Sequence, residues 1–300
     1  MWQYFNPIFE YEKIFSDFDW PWAGHKYFAY DFIRNIKPNT IVELGTHRGT
    51  SFFSMCQAVK DAHLSSKLFA IDTWKGDEQA GFYDKSIFID VKKIKQTYYN
   101  SLNISLLKTT FDKAMFKFEK NSIDLLHIDG LHTYDAVKHD FENWFDKVKK
   151  DGIVMFHDTS EKRDDFGVYK LWDELKVKYQ TIEFSHSHGL GILFKKKNKK
   201  NSFINFQQVW KLYYANKAKN IILKKQIEAT KNDPIMNKDV EKITSDFNHM
   251  KKENISLQKQ IKLSKIQVKN LSQILNNIKS AKAFKIWQKY CKIRDNFLKK

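Results

Sequence analysis

Little in this chain of 300 residues favours a cross-linked, loop-rich or membrane-spanning protein. Two cysteines, Cys56 and Cys291, lie far apart in unlike surroundings, so a disulfide framework is not expected and a reducing compartment fits better. Four prolines and ten glycines leave no collagen-like or low-complexity stretch. No run of about 18 apolar residues exists to cross a bilayer, and Met1–Pro7 lacks the basic-then-apolar pattern of a secretion leader. A cytoplasmic protein is therefore expected, with room for peripheral attachment at the inner membrane. Acidic residues are scarce at one end only. Residues 195–300 hold 27 Lys/Arg against 7 Asp/Glu, while 1–194 hold 25 against 28. A near-neutral globule followed by a cationic tail points to something anionic near the tail: lipid, nucleic acid or acidic glycan.

What is present is aromatic and periodic. The 25 Phe, 13 Tyr and 8 Trp of the chain can fill a core. Residues 27–36 have helical spacing and stop before Pro38. Short apolar runs at 40–44, 67–72, 104–108, 123–129 and 153–156 read as buried strands. Helical patterns lie between them at 50–60, 91–99, about 134–149 and 168–178. A pair at 181–184 and 190–194 closes the series. Strands alternating with helices predict an α/β fold, a doubly wound and mostly parallel sheet with right-handed crossovers.

The domain reading is 1–197 for the catalytic-size domain, with a helical cap over 1–40. A helical linker follows at 198–233, broken at Asn232-Asp233-Pro234. Over 234–280 a three-four spacing runs through Val240, Ile243, Phe247, Met250, Asn254, Leu257, Ile261, Ser264, Val268, Leu271, Leu275 and Ile278, ten of the twelve apolar. This predicts a coiled coil pairing two copies, Asn254 favouring two strands. The alternative is one amphipathic helix folded back on the globule. In 281–300, Ala283, Ile286, Tyr290, Ile293 and Phe297 share a face bordered by Lys and Arg. That suits either an anionic membrane surface or a solvated helix end.

The chemistry sits where strands end. Val42-Glu43-Leu44-Gly45-Thr46-His47-Arg48-Gly49 is a glycine turn between a strand and a helix N-terminus. It departs from the G-x-G-x-x-G dinucleotide fingerprint and lacks a G-K-[ST] phosphate cradle. A sulfonium cofactor with an amino-acid end has no pyrophosphate to hold, and Glu43 suits its ammonium. Asp72, ending the second strand, stands where a ribose is held in doubly wound folds, or else caps a helix. Trp74 beside it could cover an adenine. Asp129 and Asp158 end the fourth and fifth strands, so Gly45, Asp72, Asp129 and Asp158 should face one cleft. Two carboxylates with His132 and His157 could hold a hard divalent cation, or act as a base and its orienter. His132 reads equally as that base or as a packing residue. His25, His186 and His188 are suggestive, too few to specify a metal site.

These blocks resemble bacterial class I S-adenosylmethionine (SAM)-dependent methyltransferases of the "methyltransferase domain 24" type, found beside glycosyltransferases in surface-polysaccharide systems. The resemblance is carried by Val42–Ser51, Ile71–Glu78, Ser122–Tyr134, Phe156–Thr159, Phe166–Val168 and His188–Gly191. It implies SAM at Glu43, Gly45, Thr46, Gly49, Asp72, Trp74 and Phe111. It also implies metal ligation, by Mg²⁺ or a similar cation, at Asp129 and Asp158, with His132 as catalytic base. Gln79 departs from the pattern, since a histidine is expected in that block. The resemblance leads to a reading as an O-methyltransferase of a sugar hydroxyl on a surface glycan or its precursor. The alternatives are a non-sugar acceptor (a phosphoramidate, an amine or a small metabolite) and a non-catalytic scaffold recruiting glycosyltransferases through the coiled coil. Nucleic acid is not expected as substrate, because the globule is net acidic and lacks the N/D-P-P-Y/F motif of base methylation.

Overall fold

The computed structural model describes residues 2–14, 20–79, 81–163, 165–197, 207–230, 237–280 and 289. The chain falls into two units, Met1–Thr244 and Ser245–Lys300. Five parallel strands form the centre of the first: β1 (Thr40–Leu44), β2 (Lys67–Asp72), β5 (Asn103–Lys108), β6 (Ile123–Ile128) and β7 (Val148–His157). A two-stranded ribbon, β3 (Gly76–Asp77) with β4 (Gly81–Phe82), stands apart. The last two strands, β8 (Gln180–Phe184) and β9 (Leu190–Phe194), join antiparallel, giving the order β5-β2-β1-β6-β7-β9-β8. The expected doubly wound, mostly parallel sheet is thus observed. Strand order reverses between β1 and β6, the place where such sheets open a crevice beyond their carboxyl ends.

The elements follow from local chemistry. Helix α2 (Lys26–Ile36) ends where Lys37 turns left-handed ahead of Pro38, and α3 (Thr50–Asp61) starts at Gly49. Asp84, Thr110 and Thr133 cap α4 (Lys85–Tyr98), α5 (Phe111–Met115) and α6 (Tyr134–Phe145) by accepting backbone N–H bonds. Helix α6 ends four residues before the expected limit, because Val148 already pairs with Ile123 and lengthens β7 to ten residues.

The period of two splits the strands between two faces. Val42, Leu44, Leu126, Ile128, Val154 and Phe156 join the core beneath α6 and α7 (Val168–Lys178), around Trp144 and Trp172. The alternate residues, Glu43, His127, Met155 and His157, face the other way. On that side α2 and α8 (Gln207–Thr230) meet β8: Phe28 lies 4.4 Å from Phe184 between ring centres, and Tyr214 lies 6.0 Å from it. Helix α8, expected as a linker, is packed onto the domain. Trp210 and Tyr214 are buried, with Trp210 against Trp2 and Tyr213 against Tyr4.

Helix α9 (Asn237–Ser280) covers 44 residues in one piece. On it Leu271 and Leu275 are 64% and 50% exposed. The amphipathic stretch expected at 281–300 lies outside the described residues except Lys289. Among the described residues no helix is long and apolar enough to cross a membrane.

Candidate active site

A cavity of about 440 Å³ opens over the carboxyl ends of β1, β2, β6 and β7. That volume lies in the range of ligand sites. One wall is the β1 turn. Gly45 has φ +86°, and a Cβ there would come within 1.9 Å of the Asp129 carbonyl oxygen. Only glycine lets the two strand ends approach so closely. Asp72 closes β2 with its carboxylate fixed by two amides, from His47 (2.8 Å) and Trp74 (2.6 Å). Further lone pairs of that carboxylate are left for a ligand's hydroxyls. Phe111 lines the same wall beside Gly130.

The opposite wall is a knot of acids and imidazoles. His132 Nε2 lies 2.9 Å from Asp158 Oδ2 and 3.7 Å from Asp129 Oδ1. His157 Nδ1 lies 3.1 Å and 3.4 Å from the same two carboxylates. Trp22, from the short helix α1 (Trp20–Ala23), donates its Nε1–H to Asp129 Oδ2 at 2.6 Å. Its ring stacks on His157 and meets His127 edge-on. Burial opposes charge on all four titrating groups, yet the ion pairs prevail. His157 and His132 together pull the Asp129 and Asp158 carboxyls well below their ordinary range. Against the cost of burial, the two carboxylates raise His157 well above its usual value and push His132 up to about 9. Asp158 carries φ +59° without being glycine, a strained setting common at functional residues.

Beneath this knot lies a second buried pair. Glu43 and His127 occupy paired positions in β1 and β6 and share a 2.8 Å hydrogen bond, both side chains wholly out of solvent. His127 Nε2 stands 4.0 Å from Asp129 Oδ2, so Glu43 reaches the site through the imidazole.

Of the residues singled out from sequence, Gly45, Thr46, Asp72, Phe111, Asp129, His132 and Asp158 line the one cavity. Glu43, Gly49 and Trp74 lie behind its walls. Glu43 is paired to His127, because side-chain alternation turns it away from the strand end. Gly49 caps α3 against the Phe53 ring. Trp74 donates to the His47 carbonyl and packs on Phe88, which leaves its ring 2% exposed and no face free for an adenine. His186 stacks on His25, and His188 reaches Glu161 at 2.5 Å. Sequence reasoning missed Trp22 and His127 as parts of the site. His127 had a signal: the polar residue of Leu126-His127-Ile128 falls level with that of Val42-Glu43-Leu44 when the two strand ends are aligned.

The two walls suit different ligands. A nucleoside with an amino-acid arm fits the first, where a glycine turn lies beside a carboxylate already fixed by amides. For a cation, Asp129, His132 and Asp158 each offer an atom within 4.8 Å of the others. Two carboxylates and an imidazole suit a hard or borderline divalent ion.

The chain shows likeness to several known proteins. Residues 42–159 match the family described as Methyltransferase domain (Methyltransf_24). The uncharacterized protein y4gI of Sinorhizobium fredii (strain NBRC 101917 / NGR234) is 44% identical over 173 residues, which are 58% of this chain and 19% of that protein. The uncharacterized protein R132 of Acanthamoeba polyphaga mimivirus is 30% identical over 131 residues, 41% of this chain and 53% of that protein. The chain thus spans about a fifth and about half of the length of these curated relatives. Among solved structures, the SAH-bound methyltransferase PaMTH1 of Podospora anserina is similar at 12% identity and a TM-score of 0.48, over 62% of this chain and 86% of that one. The O-methyltransferase TomG of Streptomyces achromogenes, solved with SAM, is similar at 12% identity and a TM-score of 0.44, also over 62% and 86%.

Proposed function

We propose that this chain is a SAM-dependent O-methyltransferase whose acceptor is a sugar hydroxyl of a bacterial surface glycan or its precursor. One observation carries the reading: the glycine turn, the amide-fixed Asp72 and the Asp129–His132–Asp158 group share one cavity. The matching methyltransferase domain spans all of these residues. A polar acceptor is favoured by the far side of the cavity, where Asp77, Gln79, Arg163 and His188 add polar groups.

Bound SAM supplies a methyl group on a positively charged sulfur. The protein must hold the acceptor oxygen in line with it, exclude water and receive the hydroxyl proton. Gly45, Thr46, Asp72 and Phe111 form the cofactor wall, while Glu43, Gly49 and Trp74 shape it from behind. Trp22 and Phe166 give the acceptor side apolar faces. In its neutral form, whose share grows as pH rises toward 9, His132 Nε2 between Asp129 and Asp158 receives the proton, and the two carboxylates stabilise the resulting cation. When a divalent ion is present, Asp129 and Asp158 would hold it, with His132 as a third donor. It would then lower the acceptor hydroxyl's pKa in place of the imidazole. These two roles of His132 exclude each other, and sensitivity to a chelator separates them.

Within the same proposal, helix α9 pairs two copies through its heptad face, and the cationic tail holds them near an anionic membrane. The primary test is titration calorimetry with SAM, with and without Mg²⁺ and a chelator. Saturable binding is expected. No heat with either SAM or its demethylated product overturns the proposal.

A further inference from the structure

One arginine faces the acceptor side of the cavity. Among the described residues lining that cavity, Arg163 is the only lysine or arginine. It lies on the loop between β7 and α7, which backbone bonds pin to the site. The Glu161 amide donates to the Asp158 carbonyl at 3.2 Å, the Phe166 amide to the Arg163 carbonyl at 2.9 Å and the Gly167 amide to the His132 carbonyl at 2.7 Å.

The guanidinium is held in a set orientation. Its carbon lies 4.3 Å from the centre of the Phe166 ring, and the same ring stacks on His132 at 4.7 Å and 3° between planes. Glu161 Oε1 lies 3.5 Å from Arg163 Nε and also accepts the Lys162 and Arg163 amides at 3.0 Å and 3.2 Å. Glu161 Oε2 lies 2.5 Å from His188 Nδ1. The Glu161 carboxylate is therefore shared among several partners rather than matched to the guanidinium alone. It fixes the inner side of Arg163. The two Nη groups have no hydrogen-bond partner among the described residues, and the side chain is 61% exposed. A planar fork anchored behind and bare in front suits two-point binding of a carboxylate or phosphate. The deeper acids do not occupy it, because Asp129 and Asp158 are engaged by His132 and His157.

We propose that Arg163 binds a carboxylate or phosphate on the acceptor, so that the acceptor is an anionic sugar, a uronate or a sugar phosphate, rather than a neutral one. The assignment rests on the methyltransferase reading for what reacts and on the Glu161–Arg163–Phe166 arrangement for the anion. Arg163 and His132 share Phe166 as a neighbour. An anion on the guanidinium and a hydroxyl beside His132 therefore lie within the span of one substituted sugar. Hydrogen bonds to a charged group commonly change affinity by about ten- to a hundredfold. Holding the acceptor by a group remote from the reacting oxygen would also orient that oxygen toward the methyl group.

The full chain, saturated with the demethylated product of SAM, is titrated by calorimetry with methyl glucoside, methyl glucuronide and glucose 1-phosphate. These sugars are similar in size and differ in charge. The titrations are repeated with Arg163→Met and Arg163→Lys. Met keeps an unbranched chain against Phe166 without the charge; Lys keeps the charge without the fork. In wild type at least one charged sugar should bind roughly tenfold tighter than methyl glucoside, or better. That preference should vanish in Arg163→Met, persist weakly in Arg163→Lys and shrink with added salt, while affinity for the product stays the same. The charged sugar that binds tighter tells carboxylate from phosphate. Equal binding of charged and neutral sugars, binding of none, or a preference that survives in Arg163→Met overturns the proposal. Melting temperatures report folding, and should Arg163→Met fail to fold, Arg163→Gln replaces it. A protein that binds neither SAM nor its product fails the methyltransferase reading. One that binds the product without telling the sugars apart fails this inference alone.

Discussion

Gly45 and Asp129 meet backbone to backbone at the ends of neighbouring strands: the Asp129 amide donates to Leu44 O at 2.9 Å, and a Cβ on Gly45 would lie 1.9 Å from the Asp129 carbonyl oxygen. The contact places a candidate catalytic carboxylate directly beside the glycine turn proposed to hold the cofactor. Gly45→Ala would both strain φ and force the strand ends apart. The strain alone costs about 1–3 kcal/mol. The expected outcome is a lower melting temperature and no calorimetric binding of SAM. Normal SAM affinity in a folded Gly45→Ala protein would remove the turn from the cofactor site.

Trp22 reaches the same carboxylate from the far side through its 2.6 Å bond to Asp129 Oδ2. Trp22→Phe keeps the ring over His157 and deletes only the donor. A hydrogen bond to a charged group is worth about 1.5–3 kcal/mol. The variant should fold, bind SAM as before and lose methyl transfer by roughly tenfold or more, the rate equivalent of that energy. Equal loss of SAM binding and turnover would show that Trp22 merely packs.

Replacing His132, Asp129 or Asp158 separates the two roles of the imidazole. If His132 receives the acceptor's proton, His132→Ala should lower turnover by about 10²–10⁴-fold, and a chelator should leave wild type untouched. If a cation does the work, the chelator abolishes turnover, added Mg²⁺ or Mn²⁺ restores it, and Asp129→Asn and Asp158→Asn lose metal affinity. Full activity in a His132→Ala, Asp129→Asn double variant would refute both.

Most of this arrangement was legible in sequence for a simple reason. Strand ends marked by Gly45, Asp72, Asp129 and Asp158 are local features, and the doubly wound topology gathers them at one edge. What was not legible depends on side-chain direction and distant packing. Glu43 reads as a ligand residue next to a glycine turn, but alternation sets it on the sheet face opposite Val42 and Leu44, against His127, which lies 84 positions away. Trp74 follows the ribose-type carboxylate, yet its indole serves the turn's own carbonyl. Trp22 lies on a four-residue helix with no periodicity to announce it. Helix α8 has an aromatic face, but its counterpart Trp2 is more than 200 residues earlier in the chain.

Stability should fall as pH rises from about 4 toward 7, because Asp31 is a buried acid. Burial pushes its carboxyl up to about 7, against the hydrogen bonds it receives from Tyr214 and the Phe5 amide. An unfolded aspartate titrates near 3.9. The folded state therefore binds the proton more tightly. Its contribution to stability is complete below about pH 4 and is lost as pH rises to about 7, amounting to about 4 kcal/mol at most. Asp140, also raised to about 7 by burial, acts in the same sense. Asp31→Asn cannot ionise, so its melting temperature should gain on wild type from about pH 4 to about pH 7 and level off above that. A difference that does not change with pH would mean that Asp31 is charged in the folded protein throughout.

The same corner decides where the domain ends. A composition break at 195–201 suggests that the domain stops there, yet the Tyr214 hydroxyl donates to Asp31 Oδ2 at 2.6 Å and lies 3.2 Å from Trp2 Nε1. Trp210 is 1% exposed, with its ring 4.2 Å from that of Trp2. Cutting the chain after residue 197 would uncover Trp2, Tyr4 and Phe28 together and leave Asp31 without its principal donor. Aromatic truncations in a core cost about 3–5 kcal/mol each, close to the whole stability of an ordinary domain. Residues 1–197 alone should therefore be insoluble or lack a cooperative melt, while 1–230 should melt cooperatively. Trp210→Ala in the full chain should lower stability by about 3–5 kcal/mol in a denaturant titration. A fragment of 1–197 as stable as 1–230 would return α8 to the role of a linker and place the energetic boundary where the charge pattern changes.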